Sequence, residues 1–363
     1  MIYDGNLTSL ASGYTQVALN HLCSLVEAGH DDITFFPTHG PIPWNTWPDW
    51  TDPVRRARGR TRDLVFVHAT VDKLASVLRR EDARYVGMTA IDTDRVARWV
   101  SVGINKALDA LIVPSDHCVE AARKGGITIP IHKVPHTLGV HAWNTPTPDR
   151  PHDDRYRFYY IGSWNARKNP EGALRAYCRS FRPDDGACLS LKLTGTDALR
   201  FEVEEIVRDE ERAAGRTVTE DFTRPDVVVS AGYLSDSAVR MWHGWGDCFV
   251  STHRGEAWGQ AAFEAACMGK PIIATAWSGM LEFLSEERGD VLVPPTSLVP
   301  VTGMSGLIQF GRDQLWAEPD LEATGAAMAT VFCERRTTAM SGGLREKYGW
   351  ATMGPVLADA LRL

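Results

Sequence analysis

The chain has 363 residues, 44% of them apolar and 23% charged, which favours two globular domains with substantial cores. Its net charge of −7 speaks against a dedicated nucleic-acid binder, no apolar run is long enough to span a bilayer, and no signal peptide is expected at its start. Its cysteines, at 23, 118, 178, 188, 248, 267 and 333, are odd in number and scattered singly, so neither a disulfide framework nor a zinc site is indicated and a reducing cytoplasm is expected.

In chain order, "GYTQVALNHLCSLVEAGH" places apolar residues at helical spacing and stops at a glycine. A segment with Trp44, Trp47 and Trp50 follows, then a basic run with Arg55, Arg56, Arg58, Arg60 and Arg62. "DLVFVHAT", "YVGMTA" and "ALIVPS" are short β-branched runs, as in buried strands of a parallel sheet. "VARWVSVGINKAL" lies among them as a crossover helix, and "HAWNTPTPDRPHDD" (141–154) has little to bury and reads as a linker.

The pattern then restarts. "YRFYYIGSW" reads as a strand and "NPEGALRAYCRSF" as a helix with proline near its start. "LSLKLTG", "DVVVSAGYL", "GDCFVST", "KPIIAT" and "DVLVPP" follow as strands with helical segments among them. The fold class is α/β with two doubly wound, Rossmann-like domains, expected over 1–145 and 146–340. A C-terminal helix over 341–363 is free to pack on either domain, including a return to the first. Ligands of such sheets bind beyond the C-terminal strand ends, so the loops after "YYIG" and "CFVST" matter most.

The stretch "STHRGEAWGQAAFEAACMGKPIIA" (251–274) reads as strand end, glycine-containing loop, helix and next strand. Free N–H groups and the positive dipole end at the start of that helix suit a phosphate. Glu256 in the loop would face what the phosphate carries. Glu264, within the helix, can accept two hydrogen bonds from a vicinal diol such as a ribose. Two solvated glutamates are the plain alternative, weakened by Gly255, Gly259 and the following "GKPIIAT".

The block "GEAWGQAAFEAACMGKPIIATAWSGMLEFL" resembles the donor site of retaining GT-B glycosyltransferases of family 4, with its E-x7-E signature. "YYIGSWNARKNPEGALRAYCRSF", "DGNLTSLASGYTQVALNHLCSLVEAGH", "ALIVPSDHCVEAARKGG" and "KVPHTLGV" resemble further blocks of that family, in order. The resemblance implies two Rossmann-like domains facing a cleft, and a nucleotide-sugar donor such as a UDP- or GDP-sugar. Glu256 then contacts the donor sugar and Glu264 the ribose. Backbone amides of Ala257, Trp258, Gly259 and Gln260 hold sugar and phosphates, and Lys168 neutralises the leaving diphosphate. Ser163 stands where the family has an arginine, and Arg167 is the candidate replacement. Gly13 marks the N-terminal glycine loop. No cofactor or metal is implied, and the D-x-D motif usual in metal-using glycosyltransferases is read as absent.

Many relatives place a histidine after a strand of the first domain. Thr89, Asp92 and Thr93 stand there instead, with His68 on an earlier strand end. Asp92 is the candidate for orienting the acceptor or stabilising positive charge on the sugar, against a plain role as a helix N-cap. His136 receives no role. The acceptor side is assigned to His68 and the arginines Arg55, Arg56 and Arg58. Three readings of the Trp/Arg segment stay open: a solvated basic loop with packed tryptophans, a membrane-surface patch for an anionic lipid acceptor, or a DNA patch for glycosylating a hydroxymethylated base, as some phage enzymes do. The corresponding locations are cytoplasm, membrane periphery or the cytoplasm of a phage host. A GT-B epimerase or a non-catalytic nucleotide-sugar-binding module are the rival classes.

Overall fold

The computed structural model describes all residues except 6, 8–11, 37–46, 60–62, 143–148, 151–153, 220–221, 305 and 342. Trp44, Arg60, Arg62 and most of the expected linker lie outside the described residues. The chain forms two compact units. One holds Met1–Asn144, Ser305–Leu315 and Gly343–Leu363; the other holds Thr145–Met304 and Trp316–Gly342.

The first unit is built on a six-stranded parallel sheet ordered β2-β1-β3-β4-β5-β6. Its strands are β1 (Ile2–Gly5), β2 (Thr34–Phe36), β3 (Leu64–His68), β4 (Arg84–Met88), β5 (Ala110–Val113) and β6 (Ile131–Lys133). The sequence shows β3, β4 and β5 plainly, because their continuous apolar runs are buried throughout or nearly so. The strands β1, β2 and β6 are three or four residues long and partly exposed, and the expected set lacks them. Helices α1 (Gly13–Glu27), α2 (Asp52–Arg56), α3 (Val71–Leu74), α4 (Arg98–Ala107) and α5 (Asp116–Lys124) connect these strands. The short α11 (Leu344–Lys347) leads into α12 (Trp350–Leu361), which packs on α1. A Cβ at Gly354 would stand 2.2 Å from Ser24 O, so that close approach requires glycine.

The second unit repeats the architecture in the order β12-β11-β10-β7-β8-β9, again all parallel. The strands are β7 (Tyr156–Ser163), β8 (Ala187–Thr194), β9 (Val227–Ala231), β10 (Cys248–Ser251), β11 (Ile272–Thr275) and β12 (Val291–Val293). Phe158, Tyr160, Leu189, Leu191, Val250 and Ile273 point into one core with α6 (Pro170–Ser180), α7 (Leu199–Ala213) and α10 (Leu321–Cys333). Alternate residues such as Tyr159 and Phe249 face the other side, where α8 (Asp236–Trp245) packs and α9 (Gln260–Cys267) follows β10. A ribbon of β13 (Ser297–Pro300) and β14 (Leu315–Glu318) completes the strands. In this second sheet the connection order reverses between β7 and β10, so the loops leaving these neighbours diverge and leave a crevice at their C-terminal ends.

Candidate donor site

The two loops at that crevice are tied together by their own polar groups. Asn169 closes the loop after β7 in the left-handed region, φ 49°, and its side chain caps α6 by accepting from Gly172 N. Its amide donates to Thr252 O at 2.9 Å, and the Thr252 hydroxyl donates back to Asn169 O at 2.6 Å. Arg254 donates to Ala166 O at 2.8 Å and pairs with Glu318 at 3.0 Å. Its backbone N–H bonds Arg167 O. The loop after β7 is thereby fixed against the loop after β10.

This brings Lys168, Arg167 and Glu256 together. Lys168 Nζ lies 2.5 Å from Glu256 Oε1, and Arg167 Nη1 lies 3.2 Å from Oε2. Arg167 also donates to Gly255 O at 2.8 Å. Glu256 is buried, which alone would push its carboxyl up, but Lys168, Arg167 and His253 hold it down at about 2. Two side-chain cations thus face one carboxylate, and the surplus positive charge sits four residues before the N-terminus of α9.

The backbone of Glu256 is clipped from both sides. Ser278 adopts φ 68° and its hydroxyl accepts from Glu256 N at 3.0 Å, while Gly279 N donates to Glu256 O at 2.8 Å. A Cβ at residue 279 would stand 1.8 Å from Ala257 O. His253 is fully buried, bonding Trp277 O at 3.0 Å through Nε2 and Ser251 Oγ at 3.2 Å through Nδ1. Burial lowers its pKa against the pull of Glu256, so the ring is neutral at pH 7. These residues, with Asn169, Thr252 and Arg254, had no assigned role in the sequence reading.

Ala257 and Trp258 are buried, and the Trp258 ring packs on Phe263 and Phe283, so only their backbone is offered to a ligand. Gly259 caps α9 at φ 86°, and a Cβ there would also meet the Met280 methyl at 2.5 Å. Gln260 opens the helix and donates through Nε2 to Glu264 Oε1 at 3.1 Å. Ser163 is the last residue of β7, half-buried beside Thr194.

The other candidates lie in the first unit. Gly13 begins α1, and the next residue, Tyr14, packs its ring on His68 at 5.5 Å. Both stand where strand order turns, between β1 and β3. Burial drives His68 down to about 4, and its Nδ1 lies 3.3 Å from Tyr3 Oη, so it is a neutral ring. Asp92 is half-buried in the loop after β4. It does not cap the following helix, which begins at Arg98 with Ala97 at the cap position. Asp92-Thr93-Asp94 does have D-x-D spacing, but Asp94 is engaged by Lys124 at 2.5 Å, Arg95 at 3.1 Å and Leu315 N at 2.7 Å. Thr93 bonds Arg95 O and accepts from Gln314. Thr89 is buried. Among the described residues no group of three or more His, Cys, Asp or Glu is placed to hold a metal.

The arginine segment is partly satisfied within itself. Arg55 pairs with Asp52 at 3.0 Å and donates to Trp47 O, and Arg56 pairs with Asp52 at 3.4 Å. Arg58 is exposed and donates to Arg55 O and Ala57 O. Trp47 is buried in the core, and Trp50 stacks on His141 at 4.1 Å. These two tryptophans pack on their own unit.

Residues 155–330 match the family model described as glycosyl transferases group 1. No curated protein matches the sequence. Among solved structures, HepE from Anabaena in complex with UDP and glucose superposes with a TM-score of 0.67 at 12% identity, covering 99% of each chain. Sucrose-phosphate synthase from Thermosynechococcus elongatus gives 0.68 at 14%, covering 99% of this chain and 98% of that one. A UDP-forming α,α-trehalose-phosphate synthase from Burkholderia xenovorans gives 0.59 at 14%, covering 83% and 73%. At such identities the likeness shows the fold, here two parallel six-stranded sheets with alternating helices. The second unit thus carries most of the match to the group 1 glycosyl transferase model, in a chain with the two-domain α/β fold of its GT-B neighbours.

Proposed function

We propose that this chain is a retaining, family 4-like glycosyltransferase that moves a sugar from a nucleotide-sugar donor to a hydroxyl acceptor without a metal. The observation that carries this is the Glu256–Lys168–Arg167 cluster at the β7/β10 crevice, immediately before the α9 N-terminus. Lys168, with Arg167 in place of the missing family arginine, and the free N–H groups of α9 supply the positive charge that a departing diphosphate needs. That is the task a divalent cation performs elsewhere. Glu256 reads the donor sugar and Glu264 the ribose, while the backbone of Ala257–Gln260 and Ser163 line the donor. UDP is the first nucleotide to test, because the HepE structures hold UDP and UDP-glucose.

In this reading the bond from the sugar's C1 to the diphosphate oxygen breaks first, leaving an oxocarbenium-like sugar. The acceptor oxygen bonds C1 on the face just vacated. Its proton passes to the departing phosphate, the nearest base on that face. Asp92 and His68 serve the acceptor side, together with the exposed positive charge of Arg56 and Arg58, which suits an anionic acceptor such as a lipid or a hydroxymethylated base in DNA. A reducing cytoplasm is proposed on the strength of the seven scattered cysteines.

The test is a panel of nucleotide sugars followed by proton NMR in EDTA, with lipid and DNA acceptors. Transfer or slow hydrolysis whose first product keeps the donor's anomeric configuration is expected. Inversion, or interconversion of the donor sugar without transfer, would replace this reading, the latter with an epimerase. Binding without turnover on any acceptor would leave a nucleotide-sugar-binding module.

A further inference from the structure

Glu264 is held from behind by a side chain that the donor reading does not use. His243, on α8, is fully buried. Its Nδ1 lies 3.1 Å from Tyr159 Oη, and its Nε2 lies 3.4 Å from Glu264 Oε2. Nε2 makes no hydrogen bond among the described residues, and its approach to Glu264 is one of ion-pair range. Tyr159 is buried on β7, and burial pushes its phenol far above the usual range, so it stays protonated. The Phe249 ring packs on both, so this polar chain crosses an apolar layer.

The chemistry of the partners orients the ring. An ionised carboxylate only accepts, so the imidazole edge facing it carries the proton. With the proton on Nε2 and none on Nδ1, Nδ1 accepts from the Tyr159 hydroxyl. On the other oxygen of Glu264, Gln260 donates to Oε1 at 3.1 Å. Oε1 thus accepts one protein hydrogen bond, while Oε2 has the His243 edge 3.4 Å away without a bond to it, so both oxygens keep lone pairs free. The side chain retains 26% of its surface, enough to be reached by a ligand.

We propose that His243, oriented by Tyr159, is a positioning residue that fixes the Glu264 carboxylate for a vicinal diol and so sets how strictly the site demands a ribose. This rests on the reading of Glu264 as the ribose ligand. Without His243, Oε2 loses its buried polar neighbour and the carboxylate turns about its last bond. The diol contact weakens, whereas contacts to the phosphates and base do not involve His243.

The test compares calorimetric affinity for UDP with that for 2′,3′-dideoxy-UDP, or the GDP pair if wild type binds GDP more tightly. Wild type should prefer the ribonucleotide by about 10- to 100-fold, as two hydrogen bonds to a charged group imply. His243→Leu should bring that ratio close to unity by weakening the ribonucleotide alone. His243→Gln, which keeps an N–H donor, should restore most of it, and Tyr159→Phe should lower it partway. Tyr159→Phe removes one oxygen from a packed core and decides the matter should His243→Leu fail to fold. A wild-type ratio that Glu264→Gln abolishes but His243→Leu and Tyr159→Phe leave intact overturns this inference alone. A wild type without any preference overturns the ribose reading, and this inference with it.

Discussion

Lys168 Nζ lies 2.5 Å from Glu256 Oε1, on a carboxylate that Arg167 also reaches and that is 5% exposed. Lys168 is therefore a partner of a buried charge as well as the proposed neutraliser of a diphosphate. Its loss leaves Arg167 on Glu256, so Lys168→Ala should fold with little loss of stability. Turnover should fall about 10²-fold or more, the scale for removing a charge-stabilising group. Removing both cations leaves the buried carboxylate alone and should cost about 3–5 kcal/mol. Rate assays and denaturant titrations of the single and double variants separate the two effects. Near-normal turnover in Lys168→Ala would move the charge-neutralising role to Arg167.

The same cluster gives stability a pH signature. The Glu256 carboxyl titrates at about 2 in the folded chain against 4.5 for an ordinary glutamate. A depressed carboxyl stabilises the fold above its unfolded value, and that contribution disappears as pH falls through the folded value. Its contribution should thus be complete above about pH 4.5 and fade towards pH 2. Glu256→Gln should be less stable at neutral pH, and the gap from wild type should narrow below pH 4.5. Thermal unfolding across this range reads the gap; a constant difference would detach Glu256 from the two cations.

The first unit's arginines give a narrower prediction than their number suggests. Arg55 is engaged by Asp52 and the Trp47 carbonyl, whereas Arg56 keeps 78% of its side-chain surface and Arg58 is exposed. Arg56→Ala combined with Arg58→Ala should raise the acceptor KM, steeply so at low salt, and leave donor binding unchanged. Wild-type acceptor kinetics at every salt concentration would reduce the segment to a solvated loop.

The second sheet was legible because β7, β8, β10 and β11 are apolar runs between turn residues. The first was legible only in its middle, since "IYDG", "TFF" and "IHK" are too short and too exposed to stand out. Glu256 and Glu264 stood out by their places in the glycine loop and the helix after it, and Lys168 only by the family resemblance. The bonds that seat them could not: Asn169 and Thr252 meet across 83 residues and leave no local pattern. His243 was hidden likewise, since a buried histidine on a helix looks like any core residue until its two neighbours are known. The acid that pairs Arg55 and Arg56 is Asp52, one helical turn upstream of them.

The central claim is that the loops after β7 and β10 form a metal-free site for a nucleoside diphosphate. Calorimetric titration of UDP, GDP and ADP in EDTA, into wild type, Lys168→Ala and Glu264→Gln, tests it most directly. Wild type should bind one of the three nucleotides with its metal ions removed. Glu264→Gln should bind that nucleotide about 1.5–3 kcal/mol more weakly, as the loss of a charged two-bond contact implies, and Lys168→Ala should also weaken it. No binding until magnesium or manganese is added, or equal binding by wild type and both variants, would contradict the account.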